Sequence, residues 1–226
     1  MSKLKGMLAA SRWFQELSAD EQRRVEADTH ARAVAKGAFV CRKGDLVDHW
    51  IGVTEGLVKV AMVNPSGKLF NAMVVPAPGW FGEGSVLKDE PRRYDAIALR
   101  DSLIAYMPRA TFRWLSDHNI GFVRFLVMQL NERLGQFIGT VESDRLLGPD
   151  ERVARCIASL FNPILYPGMT SVLPLSQEEI GCLVGLSRQR VNRSLKLLED
   201  AGLLRVDYGG IRVLKLGGLY DFQSEA

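Results

Sequence analysis

The N-terminal part of the chain has apolar residues at helical spacing. Over residues 11–36 the pattern predicts helix. The apolar positions that lie among charged ones are Phe14, Leu17 and Val25. Ser18 followed by Glu21 is a capping box, which predicts that a second short helix begins there.

Residues 37–108 change to short β-rich runs between recurrent glycines. Four runs have this character: Ala38–Cys41, Leu57–Val63, Leu69–Val75 and Ile97–Met107. The turn sequence Asn64-Pro65-Ser66-Gly67 predicts a hairpin between the second and third runs. Short strands with regular turn signals favour a sandwich or a small barrel.

Residues 109–147 return to helical spacing and carry a heptad pattern. Six apolar residues are spaced 4, 3, 4, 3 and 4 apart: Val123, Val127, Leu130, Leu134, Phe137 and Val141. Such a seam is typical of a helix that pairs with a partner helix, so we predict a dimer. A monomer with one wide stripe facing its own core is the alternative. Gly148-Pro149 then breaks the helix.

The last third of the chain combines the signals of two helices joined by a tight turn. Ser176 and Glu179 form a capping box for the first helix, and Ser187 caps the second. Gly185 supplies the turn, where a positive φ is often needed, and Gly181 is small enough to let the helices cross closely. This combination predicts a helix-turn-helix.

The second of these helices is predicted to turn long polar side chains towards solvent. They are Arg188, Gln189, Asn192, Arg193 and Lys196. Arginine can bind guanine through two hydrogen bonds, and glutamine or asparagine can bind adenine in the same way. Leu203–Val206 and Ile211–Leu214 follow as a hairpin wing, in which Arg205 and Arg212 are available to phosphates. The pattern predicts DNA binding; a helical domain with a solvated basic face is the alternative.

Composition limits the remaining possibilities. The net charge of +3 argues against nucleic-acid binding over the whole surface but allows one basic face. Cys41, Cys156 and Cys182 are too far apart for a disulfide framework or a metal site, which fits a reducing compartment. The chain shows no secretory signal and no run long enough to span a bilayer, so we expect a soluble, cytoplasmic protein without a membrane partner.

The order of these elements and the segment Leu186–Arg193 resemble the cyclic-AMP receptor protein/fumarate-nitrate regulator (CRP/FNR) family of bacterial transcription factors. Its Leu-Ser-Arg-x-x-Val-x-Arg pattern is close to that family's recognition helix, and the resemblance covers roughly residues 10–215. The resemblance implies an α+β protein in three parts. They are a cyclic-nucleotide-binding-type β-roll (jelly roll) sensor domain over residues 10–118, a long dimerisation helix over residues 119–147 and a winged helix-turn-helix DNA-binding domain over residues 150–220.

The resemblance also implies particular DNA contacts. Arg188, Gln189 and Arg193 fall on the family's base-reading positions, and Ser176 and Gln177 fall on phosphate or base-edge contacts. With the polar helix face, the predicted DNA-binding residues are Ser176, Gln177, Ser187, Arg188, Gln189, Asn192, Arg193 and Lys196. The receptor protein has Glu at the position of Gln189. Because glutamine donates as well as accepts, we expect one base pair of the half-site to differ.

The segment from Phe81 to Ser85, with Arg93, resembles the family's phosphate-binding cassette. A glycine-rich turn that enters a short helix offers N–H groups to an anion, and an arginine can pair with a phosphate. The predicted effector-binding residues are Gly82, Glu83, Gly84, Ser85, Arg93 and Tyr94.

The cassette departs from that of the family's cyclic-AMP binders. Those proteins have Ser or Thr at the position of Tyr94, and their adenine-contacting Thr-Ser pair aligns with Phe137-Ile138. Three alternatives therefore stay open at this point. They are cyclic AMP, another small anionic or nucleotide-like effector, and no effector, with Glu83 and Arg93 forming a structural ion pair.

Three functions compete for this sequence. A homodimeric transcription regulator on palindromic double-stranded DNA is favoured, and by resemblance its Asn162–Gly168 loop contacts RNA polymerase. A nucleotide hydrolase that uses Glu83 and Arg93 would need a nucleophile–base pair or a metal cluster, which the sequence does not indicate, so we expect no enzyme activity. The alternative is a ligand-binding regulatory module that acts on a protein partner, and the winged helix argues against it.

Other sensing chemistries receive little support from the residues. His30, His49 and His118 show no metal-ligand spacing, so no metal site is expected. Cys41 lies in an apolar run and is expected to be a buried core thiol rather than a redox switch. The resemblance leaves haem open, because some members of the family bind it.

Overall fold

The computed structural model describes residues 2–63, 69–169, 171–207 and 209–223. Contacts divide the chain into two compact units, which are Met1–Asn131 with Ile164–Gly168, and Glu132–Pro163 with Met169–Ala226. The predicted turn Asn64-Pro65-Ser66-Gly67 lies outside the described residues. The three-part boundaries given by the sequence remain a prediction.

Within the described residues, the first unit contains five helices, the first part of a sixth, and eight strands. The helices are α1 Lys3–Ala10, α2 Arg12–Gln15, α3 Ala19–Asp28, α4 Glu83–Lys88, α5 Arg109–His118 and the first part of α6 Ile120–Leu146. The strands are β1 His30–Val34, β2 Phe39–Cys41, β3 His49–Glu55, β4 Leu57–Val63, β5 Leu69–Pro76, β6 Gly79–Phe81, β7 Asp95–Ala98 and β8 Ser102–Pro108.

The eight strands form two four-stranded antiparallel sheets within the described ranges. Their orders are β1-β8-β3-β6 and β2-β7-β4-β5, which confirms the predicted β-roll. The helical prediction over residues 30–34 is wrong, because these residues pair with β8 from His30–Tyr106 to Val34–Ser102. The run Ile97–Met107, predicted as one strand, bends after β7 and continues as β8 in the other sheet.

An aromatic cluster packs helices of the first unit against the sheet β1-β8-β3-β6. The rings of Trp50 and Trp80 stack with centroids 4.3 Å apart, and the ring of Trp13 lies 5.5 Å from that of Trp50. Phe112 of α5 and Phe122 of α6 close the cluster. Offset and edge-on aromatic pairs of this kind add to the hydrophobic stabilisation of a core. The start of α6 is thereby held against the sheet.

The second unit contains the rest of α6, four further helices and three strands. These elements are α7 Pro149–Ser159, α8 Gln177–Val184, α9 Arg188–Asp200, α10 Leu216–Tyr220, β9 Val172–Leu173, β10 Leu204–Asp207 and β11 Gly210–Val213. The strands form a sheet in the order β10-β11-β9, in which β10 and β11 are the predicted wing and β9 is a strand that the sequence did not indicate. Tyr208 of the wing turn lies outside the described residues.

The long helix α6 has 27 residues and ends near the predicted break. It stops at Leu146, and Pro149 is the first residue of α7, where its missing N–H is tolerated. Among the helices that the structure describes, none combines the length and the apolar character needed to cross a membrane.

Candidate DNA-binding site and effector site

The helix-turn-helix is built from caps and from one left-handed glycine. The Ser176 hydroxyl accepts from the Glu179 N–H while the Glu179 carboxylate accepts from the Ser176 N–H, so the predicted capping box begins α8. Gly185 ends α8 with φ +68°, and the Ser187 hydroxyl accepts from the Arg190 N–H to begin α9. These local signals fix both helix ends and the turn between them.

Gly181 lets the two helices approach each other closely. A Cβ at this position would lie 2.5 Å from the Leu186 carbonyl oxygen and 3.6 Å from a Val191 methyl group. Any larger residue would therefore push the start of α9 away from α8. Ile180, Val191, Leu195 and Leu198 are buried beside this crossing.

The outward face of α9 presents the predicted polar side chains. Arg188, Gln189, Arg193 and Lys196 are exposed, and Asn192 is half-buried between them. Gln177, the first residue of α8, donates from Nε2 to Asn192 Oδ1 at 3.0 Å. The structure therefore brings the eight predicted DNA-binding residues to one place, although Ser176 and Ser187 already use their hydroxyl groups as helix caps.

Arg190 points inward from the same helix, and sequence reasoning missed its role. Its guanidinium donates to both carboxylate oxygens of Asp150, each at 2.7 Å, and to the Ser194 hydroxyl at 3.0 Å. The bond from Arg190 is the main cause that holds the pKa of Asp150 below its usual range. Because Asp150 belongs to α7, this bidentate pair fixes how α9 is set against α7.

The variant Asp150→Asn tests the contribution of this pair to stability. We expect the free energy of unfolding to fall by about 1–3 kcal/mol at neutral pH, since both partners are largely buried and Arg190 loses a charged acceptor. The folded-state pKa of Asp150 is lowered, so its contribution is present above the unfolded-state pKa and is lost as the pH falls through the folded value.

Urea unfolding at pH 7 and at about pH 3 measures both effects. The difference between wild type and Asp150→Asn should be large at pH 7 and small in acid. Asp200→Asn, at the exposed end of α9, is the matched control and should be close to wild type. A difference that does not change with pH would contradict the proposed ion pair.

The wing arginines are held by an acid on the wing itself. Arg205 donates from Nε to Asp207 at 2.7 Å, and Arg212 donates from Nε to the other carboxylate oxygen at 2.9 Å. The bond from Arg205 is the main cause that lowers the pKa of Asp207. Both arginine side chains are partly exposed, so their availability to phosphates stays a prediction, with Asp207 as a competing acceptor on the wing.

Asp207→Asn should strengthen non-specific DNA binding. With the competing carboxylate removed, both arginines gain phosphate contacts, so we expect a several-fold rise in affinity for random-sequence duplex at low salt. The slope of log affinity against log salt should become steeper by about 1 to 2, which a fluorescence-anisotropy salt titration measures. Asp221→Asn removes the same charge at the C-cap of α10 and is the control. An unchanged slope would show that the two arginines do not contact phosphates.

The predicted effector cassette forms, but with a different arginine. Gly82 has φ +87° and precedes α4, and Glu83 and Ser85 are buried. Arg92 is 3% exposed and donates from Nη1 to the Gly82 carbonyl at 3.0 Å and from Nη2 to the His49 carbonyl. A Cβ on Gly82 would lie 2.3 Å from Arg92 Nη1 and 3.3 Å from Tyr94 Oη.

Arg93 does not lie in the cassette. Its side chain is 70% exposed and forms an ion pair with Glu90 at 2.7 Å. Arg92 is buried against Gly82 and the Tyr94 hydroxyl lies close to the same position, whereas Arg93 faces solvent. The prediction that Arg93 belongs to the cassette is therefore corrected, because Arg92 lies there and counting along the sequence could not separate the two neighbours.

Two histidines that are distant in sequence meet on the roll. The rings of His30 and His49 lie 5.5 Å apart, and each lies within 5.7 Å of the ring of Tyr106. The pKa of His49 is lowered, mainly by burial and next by the electrostatic effect of His30. Across the ranges that the structure describes, no group of three or more His, Cys, Asp or Glu side chains is placed to hold a metal ion.

The cysteines are not arranged for redox chemistry with one another. Burial raises the pKa of Cys41 to about 11 and that of Cys156 to about 12. Both side chains are therefore weak sources of the reactive thiolate at neutral pH. Cys182 of α8 is exposed.

The heptad seam of α6 is largely exposed in the single chain. Val123 is half-buried, and the other five positions are exposed: Val127, Leu130, Leu134, Phe137 and Val141. On an adjacent face of α6, Phe122 and Leu126 are buried, whereas Ile138 is exposed. A continuous exposed apolar row on one helix is typical of an interaction surface.

These features define a class of protein: a β-roll sensor unit combined with a winged helix-turn-helix. Two family models match the chain in the same order. The cyclic nucleotide-binding domain matches residues 31–119, and the Crp-like helix-turn-helix domain matches residues 151–222. Together they account for more than half of the chain.

Individual relatives agree with this assignment. The chain is 27% identical over 188 residues to the cAMP-activated global transcriptional regulator Vfr of Pseudomonas aeruginosa, which covers 80% of this chain and 87% of that protein. The structure of FixK2 from Bradyrhizobium japonicum matches with a TM-score of 0.71 at 20% identity, covering 88% of this chain and 98% of that one. The structure of the c-di-GMP responsive global regulator CLP of Xanthomonas campestris matches with a TM-score of 0.61 at 21% identity, covering 87% of this chain and 99% of that one.

The chain belongs to the CRP/FNR family of bacterial transcription regulators. It is a DNA-binding transcription regulator with a cyclic-nucleotide-binding-type domain. The two solved structures, at their low identity, support the fold alone.

Proposed function

We propose that two copies of the chain bind a palindromic double-stranded DNA site through their α9 helices. The observation that carries this proposal is the exposed polar face of α9, where Arg188, Gln189 and Arg193 surround the half-buried Asn192. An α-helix fits the major groove, where these side chains distinguish base pairs by their hydrogen-bonding edges. The eight residues that the sequence predicted for DNA binding form the proposed DNA-binding site.

The exposed seam of α6 is the proposed dimer interface. Isolated apolar residues are ordinary on a protein surface, but a heptad row from Val127 to Val141 has the spacing of a two-helix seam. A two-fold dimer of a helix-turn-helix protein places its recognition helices about 34–36 Å apart, in successive major grooves. The dimer would therefore read two half-sites of an inverted repeat.

The proposed effector is a small molecule that binds at the cassette and differs from cyclic AMP. The space beside Gly82 is filled by the Arg92 guanidinium, which is held by two backbone carbonyls. Tyr94 adds its hydroxyl to the same space. These residues do not fit cyclic AMP.

Isothermal titration of the protein with cyclic AMP tests the effector proposal. We expect no saturable heat and no change in affinity for the preferred DNA site when cyclic AMP is added. Saturable binding that tightens DNA binding would contradict this part of the proposal. Mass spectrometry of molecules retained by the protein purified under native conditions would then identify the effector class.

RNA polymerase is the proposed second partner, through the exposed residues of the loop Asn162–Gly168. Leu165 and Tyr166 of that loop are buried, and Tyr166 donates to the Val74 carbonyl at 3.2 Å, so they anchor the loop. Pro163 and Pro167 are exposed and available for contact. We propose no enzyme activity, and we place the protein in the cytoplasm with its DNA.

Selection from a random-sequence DNA library tests the DNA-binding proposal. The protein should enrich an inverted repeat containing guanines, because Arg188 and Arg193 prefer that base. Failure to enrich any sequence, with or without cell extract as a source of effector, would overturn the proposal.

A further inference from the structure

The hydrogen bond between Gln177 and Asn192 has a consequence for base recognition. We propose that Gln177 is a positioning residue that orients the Asn192 amide with its nitrogen towards the groove and thereby sets its base preference. This inference rests on the proposed function, since it concerns how α9 reads the groove. It assigns to Gln177 a role that acts through Asn192 rather than through its own DNA contact.

The geometry of the two helices places this pair with little freedom. Gln177 lies one turn before Gly181 on α8, so the two share the face that meets α9. The absence of a side chain at Gly181 lets the helices approach, and Gln177 Nε2 then reaches Asn192 Oδ1 at 3.0 Å. Both side chains are half-buried, which limits the competition from water.

The contacts that hold α9 in place also support this position of Asn192. Arg190 is fixed by two hydrogen bonds to Asp150, and Val191 is fully buried. The two residues before Asn192 therefore fix the rotation of α9 about its axis. Asn192 is held at the border between the helix crossing and the exposed face, where its amide can reach both Gln177 and the groove.

The chemistry of the amide group then decides which base Asn192 can read. An asparagine that uses both its oxygen and its nitrogen prefers adenine, to which it binds through N6 and N7. An amide oxygen can accept two hydrogen bonds, so the bond from Gln177 acts by orientation: it holds Oδ1 towards α8 and leaves the nitrogen end to face the groove, which disfavours the two-point contact. The nitrogen end still carries two hydrogens, which bind acceptors such as guanine N7 and O6 or thymine O4. Wild-type protein should therefore prefer an acceptor edge at this base pair and disfavour adenine.

The variant Gln177→Met tests the proposal with a side chain of similar length and no donor. It frees Asn192 Oδ1, so the preference at the base pair read by Asn192 should shift towards adenine by about tenfold relative to guanine. Gln177→Glu offers only acceptor oxygens, so it should draw the Asn192 nitrogen and expose its oxygen to base donors. Binding to every single-base substitution of the selected site gives both profiles.

Glu178→Gln is the matched control. Glu178 is the exposed neighbour of Gln177 on α8. This substitution does not touch the Gln177–Asn192 bond, so it should not change the preference at the Asn192 position. Circular dichroism and the melting temperature confirm that each variant is folded.

A double-mutant cycle separates positioning from an independent contact. Gln177→Met and Asn192→Ala should each weaken binding to the selected site by about tenfold, and the double variant should also lose only about tenfold. A hundredfold, additive loss with an unchanged base profile in both Gln177 variants would overturn the inference. If wild type enriches no site at all, the proposed function itself fails; if it enriches a site and these profiles do not change, only the inference fails.

Discussion

Replacing Arg188 with alanine is expected to abolish sequence discrimination while leaving salt-sensitive, non-specific DNA binding. Arg188 is the first residue of α9, and the first residues of a recognition helix contact base edges. A bidentate arginine–guanine contact contributes about 1–3 kcal/mol of discrimination. Because a dimer loses two such contacts, affinity for the preferred palindrome should fall by about a hundredfold or more.

Fluorescence anisotropy on the preferred duplex and on a scrambled duplex measures this effect. Arg188→Ala should bring the two affinities close together, while the affinity for the scrambled duplex changes little. Lys196→Ala is the informative control, since a phosphate contact should weaken both duplexes similarly and reduce the salt slope by about 1. Equal losses on both duplexes for Arg188→Ala would show that Arg188 contacts phosphate and does not read a base.

Replacing Leu134 with aspartate is expected to dissociate the dimer. Leu134 lies near the middle of the seam and is 57% exposed in the single chain. A two-fold interface would bring two such carboxylates into an apolar seam, and burying unpaired charge is costly. The dimer dissociation constant should rise by at least about a hundredfold. Affinity for the palindrome should fall as well, since a monomer can make only half of the dimer's DNA contacts.

Analytical ultracentrifugation over a concentration series measures the dissociation constant. Leu146→Asp makes the same change at an exposed position of α6 outside the heptad row and should remain dimeric. Circular dichroism checks that α6 is still helical in both variants. If Leu134→Asp is as dimeric as wild type, the seam is assigned to the wrong face of the helix.

The helix-turn-helix was predictable because its signals are local. Each helix end has its cap or its glycine within a few residues, and Gly185 adopts the positive φ that the turn requires. The exposed face of α9 follows from helical periodicity alone. The inward role of Arg190 was not predictable, because its partner Asp150 is 40 positions away and belongs to another helix.

The roll was predictable as a class but not in its details. Strand β1 has alanine at every second position, a residue that favours helix over strand, and its pairing with β8 is a long-range contact that no local pattern reveals. The choice between Arg92 and Arg93 depended on which of two neighbouring side chains turns towards Gly82, in a bend that precedes β7. The meeting of His30 and His49 likewise depends on sheet order, since both flank Tyr106 on β8.

Binding to duplexes with altered half-site spacing tests the central claim, that two α9 helices read one inverted repeat together. The selected palindrome should be compared with versions lengthened by about half a helical turn and by about a full turn. We expect the affinity to peak at the selected spacing, because insertion of half a turn moves the second half-site to the opposite side of the DNA. Equal affinity at every spacing would show that the two α9 helices bind DNA independently.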